Sequence, residues 1–101
     1  MEERLPNIHP GEVLEEEFLK PLNIPVAQLA KAIRLPRARI EGILQHKRRI
    51  TPNIALRLAK VFGTSAQFWL GLQLDYDLEE EQQHIGTKLE GIHPFQEFVI
   101  T

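Results

Sequence analysis

Cysteine is absent from these 101 residues. That excludes disulfides and thiolate metal sites, and it fits a reducing compartment. No run of 18 apolar residues occurs, so no segment reads as a membrane-spanning helix. The first dozen residues are polar and acidic and lack the apolar stretch of a signal peptide. A water-soluble, cytoplasmic chain is therefore expected. Its length suits one domain, and 43% apolar residues are enough for a core.

A further scarcity is local. From Phe18 to Leu74 the positive residues are Lys20, Lys31, Arg34, Arg37, Arg39, Lys47, Arg48, Arg49, Arg57 and Lys60, and the sole acid is Glu41. That span carries +9, although the whole chain carries −2, because the remaining acids lie at the two ends. Spread evenly, these cations would be ordinary surface charge. Concentrated in the middle, they point to a polyanionic partner.

Catalytic chemistry is poorly supplied. There is no Gly-rich phosphate loop, and no Ser stands in a nucleophile setting. The histidines His9, His46, His84 and His93 show no metal-ligand spacing. Residues 75–81, "DYDLEEE", begin like a calcium loop but place Glu80 where that loop requires glycine. The sequence is read as a non-enzyme with no cofactor and no metal.

Apolar periodicity predicts five helices. The first opens at Pro10, carries Leu14, Phe18 and Leu22 on one face, and stops or bends at Pro21. Glu15 to Glu17 form its solvated face. The second, "VAQLAKAI", places Val26, Leu29, Ala30 and Ile33 together. Pro36 opens the third, with Ile40, Ile43 and Leu44 inward and Arg37, Ala38, Glu41 and Gln45 outward. Thr51 and Pro52 start the fourth, with Ile54, Leu58, Val61 and Phe62 on one face and Gly63 ending it. Thr64 and Gln67 read as a capping box for the fifth. That helix is apolar on two sides, so Trp69, Leu70 and Leu74 are assigned to a homodimer interface. An acidic helix end follows, then a Gly-punctuated tail from Ile85 whose "FQEFVIT" has a weak strand pattern.

The second and third helices form a helix-turn-helix whose second member is basic. A recognition helix of this kind lies in the major groove with its first side chains at base edges. Arg37 suits guanine, Ala38 a thymine methyl, Glu41 a cytosine amine or Arg37 itself, and Gln45 adenine. Lys47, Arg48 and Arg49 read as phosphate contacts. Arg34 stands where such turns usually hold glycine, so either the turn differs or a strained Arg34 compensates by touching phosphate. Gly42 inside the third helix points to close helix-on-helix packing.

The stretches "IHPGEVLEEEFLKPLNI", "RIEGILQHKRRIT" and "ALRLAKVFGTSAQFWLGLQLDYDL" resemble, in order and spacing, the HigA-type antitoxins of the lambda-repressor-like helix-turn-helix group, from about Leu5 to Leu78. The resemblance implies an all-α, five-helix DNA-binding domain, and the residues beyond it read as a short C-terminal extension. Residues 1–9 would be an N-terminal arm, 10–78 the DNA-binding and dimerisation domain, and 79–101 the acidic helix end and tail. It implies a homodimer that represses its own operon from double-stranded operator DNA and neutralises a HigB-type mRNA endoribonuclease. By position, Arg37, Ala38, Arg39 and Glu41 match the DNA-reading segment, and Gln28 matches the start of its supporting helix. The acidic ends, Glu15 to Glu17 or Asp75 to Glu81, offer a counter-surface to such a basic toxin. The alternatives are a solitary regulator without a toxin, and an interaction module that has lost DNA binding.

Overall fold

A computed structural model describes residues 7–95. It shows five helices and, among the described residues, no strand. Helix α1 begins at Pro10–Val13 and continues as a wider, π-helical stretch over Leu14–Leu19. The others are α2 (Val26–Ile33), α3 (Arg37–Leu44), α4 (Pro52–Phe62) and α5 (Ala66–Leu89). The all-α, five-helix expectation holds.

Local chemistry accounts for the element ends. Pro10 and Pro52 occupy first-turn positions, where a missing N–H costs nothing. The Thr51 hydroxyl accepts from Ile54 N, closing the start of α4. At α5 the cap is Ser65 rather than Thr64, because the Ser65 hydroxyl accepts from Phe68 N. The Thr64 hydroxyl is taken instead by the Trp69 indole N–H at 2.7 Å. The π-helical stretch in α1 had no signature in the residue pattern.

The core joins Leu14 and Leu19 of α1, Leu29, Ala30 and Ile33 of α2, Ile40 and Ile43 of α3, and Ile54, Ala55 and Leu58 of α4, with Ile50 and Trp69. Phe18 meets both Phe62 and Trp69 at ring separations of 4.9 Å. Two expected core residues lie outside the core, and one expected interface residue lies inside it. Leu22 lies beyond the end of α1 and is exposed, and Val61 looks outward from α4. Trp69 is wholly enclosed by its own chain, so it has no surface to offer a second copy. Helix α5 also runs to Leu89, through Gly86, where a tail was expected from Ile85. The predicted strand falls, apart from Phe95, outside the described residues.

The turn between α2 and α3 keeps the left-handed geometry that usually calls for glycine. Arg34 has φ 60° and ψ 47°. The Leu35 N–H reaches back to the Ala30 carbonyl, which closes the end of α2. The turn is also braced from α4. The Arg57 guanidinium donates to the Ile33 carbonyl at 2.7 Å and to the Arg34 carbonyl at 3.4 Å, and Asn53 holds it from the side.

Gly11 fixes how α1 meets α3. A Cβ there would sit 2.0 Å from the Ile43 carbonyl oxygen. Helix-on-helix contact of the kind expected at Gly42 therefore occurs at Gly11. At Gly42 the neighbour is the Arg48 side chain, whose Cδ would lie 2.7 Å from an added Cβ.

Candidate nucleic-acid interface

Helix α3 buries Ile40 and Ile43 and turns Arg37 and Ala38 outward, and Gln45, its exposed C-cap, follows. Pro36, extended at φ −61°, is its N-cap, so Arg37 is the first helical residue and stands at the open end. Its Nε donates to Glu41 Oε2 at 2.8 Å, one turn on. That pairing steadies the long side chain by one N–H and leaves its terminal nitrogens for a base edge. Gln28 and Arg34 are exposed on α2 and at the turn.

The loop after α3 is tightly held. His46 takes a left-handed conformation at φ 65°, and the N–H groups of Lys47 and Arg48 both donate to the Gly42 carbonyl. The absence of a side chain at Gly42 lets the stem of Arg48 lie across the helix there. The Ile50 N–H donates to Gln73 Oε1 at 2.7 Å. Lys47, Arg48 and Arg49 are all exposed, but Arg49 is not free: its Nη2 lies 2.6 Å from Asp77 Oδ2 on α5. Arg39 is half-buried and, with the cations of this loop, lines a groove of about 470 Å³ between α3, α4 and α5. Its enclosed Nε has no hydrogen-bond partner among the described residues.

His9 is the part of this region whose role the sequence did not disclose. It is 4% exposed, and its Nδ1 accepts from Gly11 N at 2.9 Å, capping α1. Its ring stacks on His46 at 4.6 Å and meets the edge of Tyr76 at 4.8 Å. Burial, and then the neighbouring His46, push the His9 pKa below the ordinary histidine value, with Asp77 opposing. The geometry requires a bare Nδ1, since it can accept from Gly11 N only while it carries no proton. The Asp77 pKa is lowered, chiefly by the Arg49 hydrogen bond.

Gln73 and Asp77 were likewise missed as contributors. One signal was readable: Gln73 is a polar residue four positions after Trp69, on the face of α5 that goes into the core. A polar side chain there needs a partner, and the partner is the backbone of the basic loop.

Against known proteins, a model described as helix-turn-helix matches residues 16–69. Virulence-associated protein I of Dichelobacter nodosus is 47% identical over 79 residues, 78% of this chain and 73% of that relative. Two solved structures superpose over 90% of this chain and 100% of their own. One is the Pseudomonas aeruginosa antitoxin HigA with the higBA promoter, 37% identical with a TM-score of 0.86. The other is an addiction module antidote protein of a HigA family from Coxiella burnetii, 42% identical with a TM-score of 0.84. The chain belongs to the helix-turn-helix family, in its HigA antitoxin branch. Helices α2 and α3, joined by Arg34, Leu35 and Pro36, lie within the matched residues 16–69. No helix among the described residues is long and apolar enough to cross a membrane.

Proposed function

We propose that this chain is the antitoxin of a type II toxin–antitoxin module. As a homodimer it binds operator DNA upstream of its own gene, represses that operon, and neutralises a HigB-type mRNA endoribonuclease. The observation that carries the reading is the outer face of α3. Arg37, Ala38 and Gln45 stand clear at the end and along the side of a short helix, within a span almost without acid, in a chain that superposes on a HigA solved with its promoter.

The helix-turn-helix places α3 in the major groove, with Arg37 and Ala38 at base edges. Lys47, Arg48, Arg49 and Arg34 meet phosphate, and Arg39 and Gln28 support them. Leu70 and Leu74 supply the two-fold contact, since Leu74 is 57% exposed in the single chain. The two recognition helices then lie about 34 Å apart, one turn of B-DNA. The toxin, a basic protein by its trade in RNA, docks on exposed acids such as Glu16 and Glu17 of α1 or Glu80 and Glu81 of α5.

The test is fluorescence anisotropy on the DNA just upstream of the gene, beside a shuffled duplex, with Arg37→Ala as control. Selective binding that falls at least about fivefold in Arg37→Ala is expected, since a bidentate base contact contributes about 1–3 kcal/mol. Equal affinity for both duplexes would end the operator reading. The neighbouring gene supplies the second arm. Co-expression with the small basic protein encoded beside it should yield a stable complex and restore growth. A chain that selects its DNA but binds no such neighbour would be a solitary regulator.

A further inference from the structure

Helix α5 reaches into the basic loop through two side chains one turn apart. Gln73, 3% exposed, accepts from Ile50 N with Oε1 and donates to Asp77 Oδ1 at 3.0 Å with Nε2. Asp77 then uses Oδ2 to hold Arg49 Nη2 at 2.6 Å. The chain of bonds runs from the loop backbone, through the core, to a cation on the surface. Arg49 remains 60% exposed and commits only one of its nitrogens to Asp77. It lines the same groove as Arg39, Lys47 and Arg48, where the enclosed Arg39 Nε still lacks an acceptor.

We propose that Gln73 and Asp77 are positioning residues for DNA binding: Gln73 fixes the loop at Ile50, and Asp77 holds the Arg49 guanidinium ready for a backbone phosphate in the groove beside Arg39. The inference rests on the DNA-binding reading above and assigns part of that site to α5. A long arginine side chain loses rotamer freedom when it docks, and a carboxylate that has already ordered it removes much of that loss. An acid inside a basic groove thereby improves the binding of an anion. The arrangement also ties the groove to α5, the helix assigned to the dimer contact, so a change on that helix reaches the DNA-contacting loop through two hydrogen-bonded side chains.

The sign of one substitution separates this from simple electrostatics. Removing a negative charge near DNA tightens binding if only the net field matters. Positioning requires the reverse: Asp77→Asn should weaken binding about fivefold, the scale of one well-placed surface ion pair. It should also reduce the slope of log affinity against log salt by up to about 0.9, the loss of one phosphate contact. In an Arg49→Ala background the same change should no longer weaken binding, because the group that Asp77 orders is gone. Matched melting curves for Asp77→Asn and the unaltered protein separate the effect from a fold defect.

Unchanged or tighter binding in Asp77→Asn would overturn the proposal. Equal weakening with and without Arg49 would overturn it too. The contact is to phosphate, so the whole cycle also reads out on a shuffled duplex at low salt. Loss of operator selectivity in the unaltered protein would therefore sink the operator reading while leaving this test running.

Discussion

Helix α5 contains two regions of equal length that differ in almost everything except secondary structure. Over residues 66–77 one face is built into the domain: Trp69 is fully enclosed, Gln73 is 3% exposed, and Tyr76 and Asp77 meet His9 and Arg49. The opposite face of the same turns carries Leu74, 57% exposed. Over residues 78–89 nothing is buried, Leu78 and Leu89 are 52% and 44% exposed, and the acids Glu80 and Glu81 face solvent. The first region is a helix because the core requires it. The second continues because helix extension is cheap once a turn exists and "LEEEQQ" is made of good helix formers. Leu74, Leu78, Ile85 and Leu89 also share a face at helical spacing, an apolar ridge that their own chain leaves mostly uncovered.

The contrast breaks first at Trp69. Trp69→Ala removes the largest enclosed side chain and strands the Thr64 hydroxyl, so it should cost about 3–5 kcal/mol. For a domain of this size that is a large part of total stability, and thermal melting should show a chain unfolded, or nearly so, at 37 °C. A loss under 1 kcal/mol would mean that the indole is far less enclosed than its contacts with Phe18 and Phe68 require.

On the outer face of the same turns, where the two-fold contact is proposed, Leu74→Glu should leave the far-UV circular dichroism spectrum intact yet yield monomers by light scattering. A charge at an apolar two-fold contact costs several kcal/mol of association, while an exposed leucine adds little to its own fold. A variant that stays dimeric would move the interface elsewhere, most directly to the ridge beyond Leu78.

The inner face is also tuned by protonation. The His9 pKa lies below its ordinary 6.5, so the unfolded chain takes up that proton first as pH falls. Its contribution is whole above about 6.5 and is lost as pH drops through the folded value. The lowered Asp77 pKa acts in the same direction, with a contribution present above 3.8 and lost below it. The melting temperature should therefore be lower at pH 5 than at pH 7. His9→Asn, which keeps a capping acceptor for Gly11 N, should flatten that difference. A difference of equal size in His9→Asn would place the titrating group elsewhere.

These contrasts also explain what could be read from the letters. The cores of α2 and α3 were legible because Leu29, Ala30, Ile33, Ile40 and Ile43 recur at helical spacing, and the exposed basic face of α3 followed by subtraction. The α4 face was half legible: Ile54 and Leu58 go inward, but Ala55 replaces Val61 at the contact, and small residues carry no strong periodic signal. Trp69 was misassigned because an aromatic on a two-sided apolar helix suits a core or an interface equally. Only the fold decides between them. The links Arg57 to Ile33, Gln73 to Ile50 and Asp77 to Arg49 span 23 to 28 residues of sequence, and no local pattern announces such bonds.

The smallest expected effect is the one that defines the outer region. A Cβ added at Gly86 meets nothing within 4 Å, and alanine is better than glycine inside a helix by up to about 1 kcal/mol. Residues 78–89 contribute little to the core, so Gly86→Ala should leave the melting temperature nearly unchanged. It should deepen the 222 nm helix signal and slow amide exchange over residues 82–89, because these turns open without global unfolding. A clear rise in melting temperature would instead show that the outer turns unfold together with the core. Weaker self-association in Gly86→Ala would carry a different meaning. Gly86 lies one turn before Leu89, and a methyl group tolerated by the single chain but not by the pair would show that a second helix approaches the ridge there.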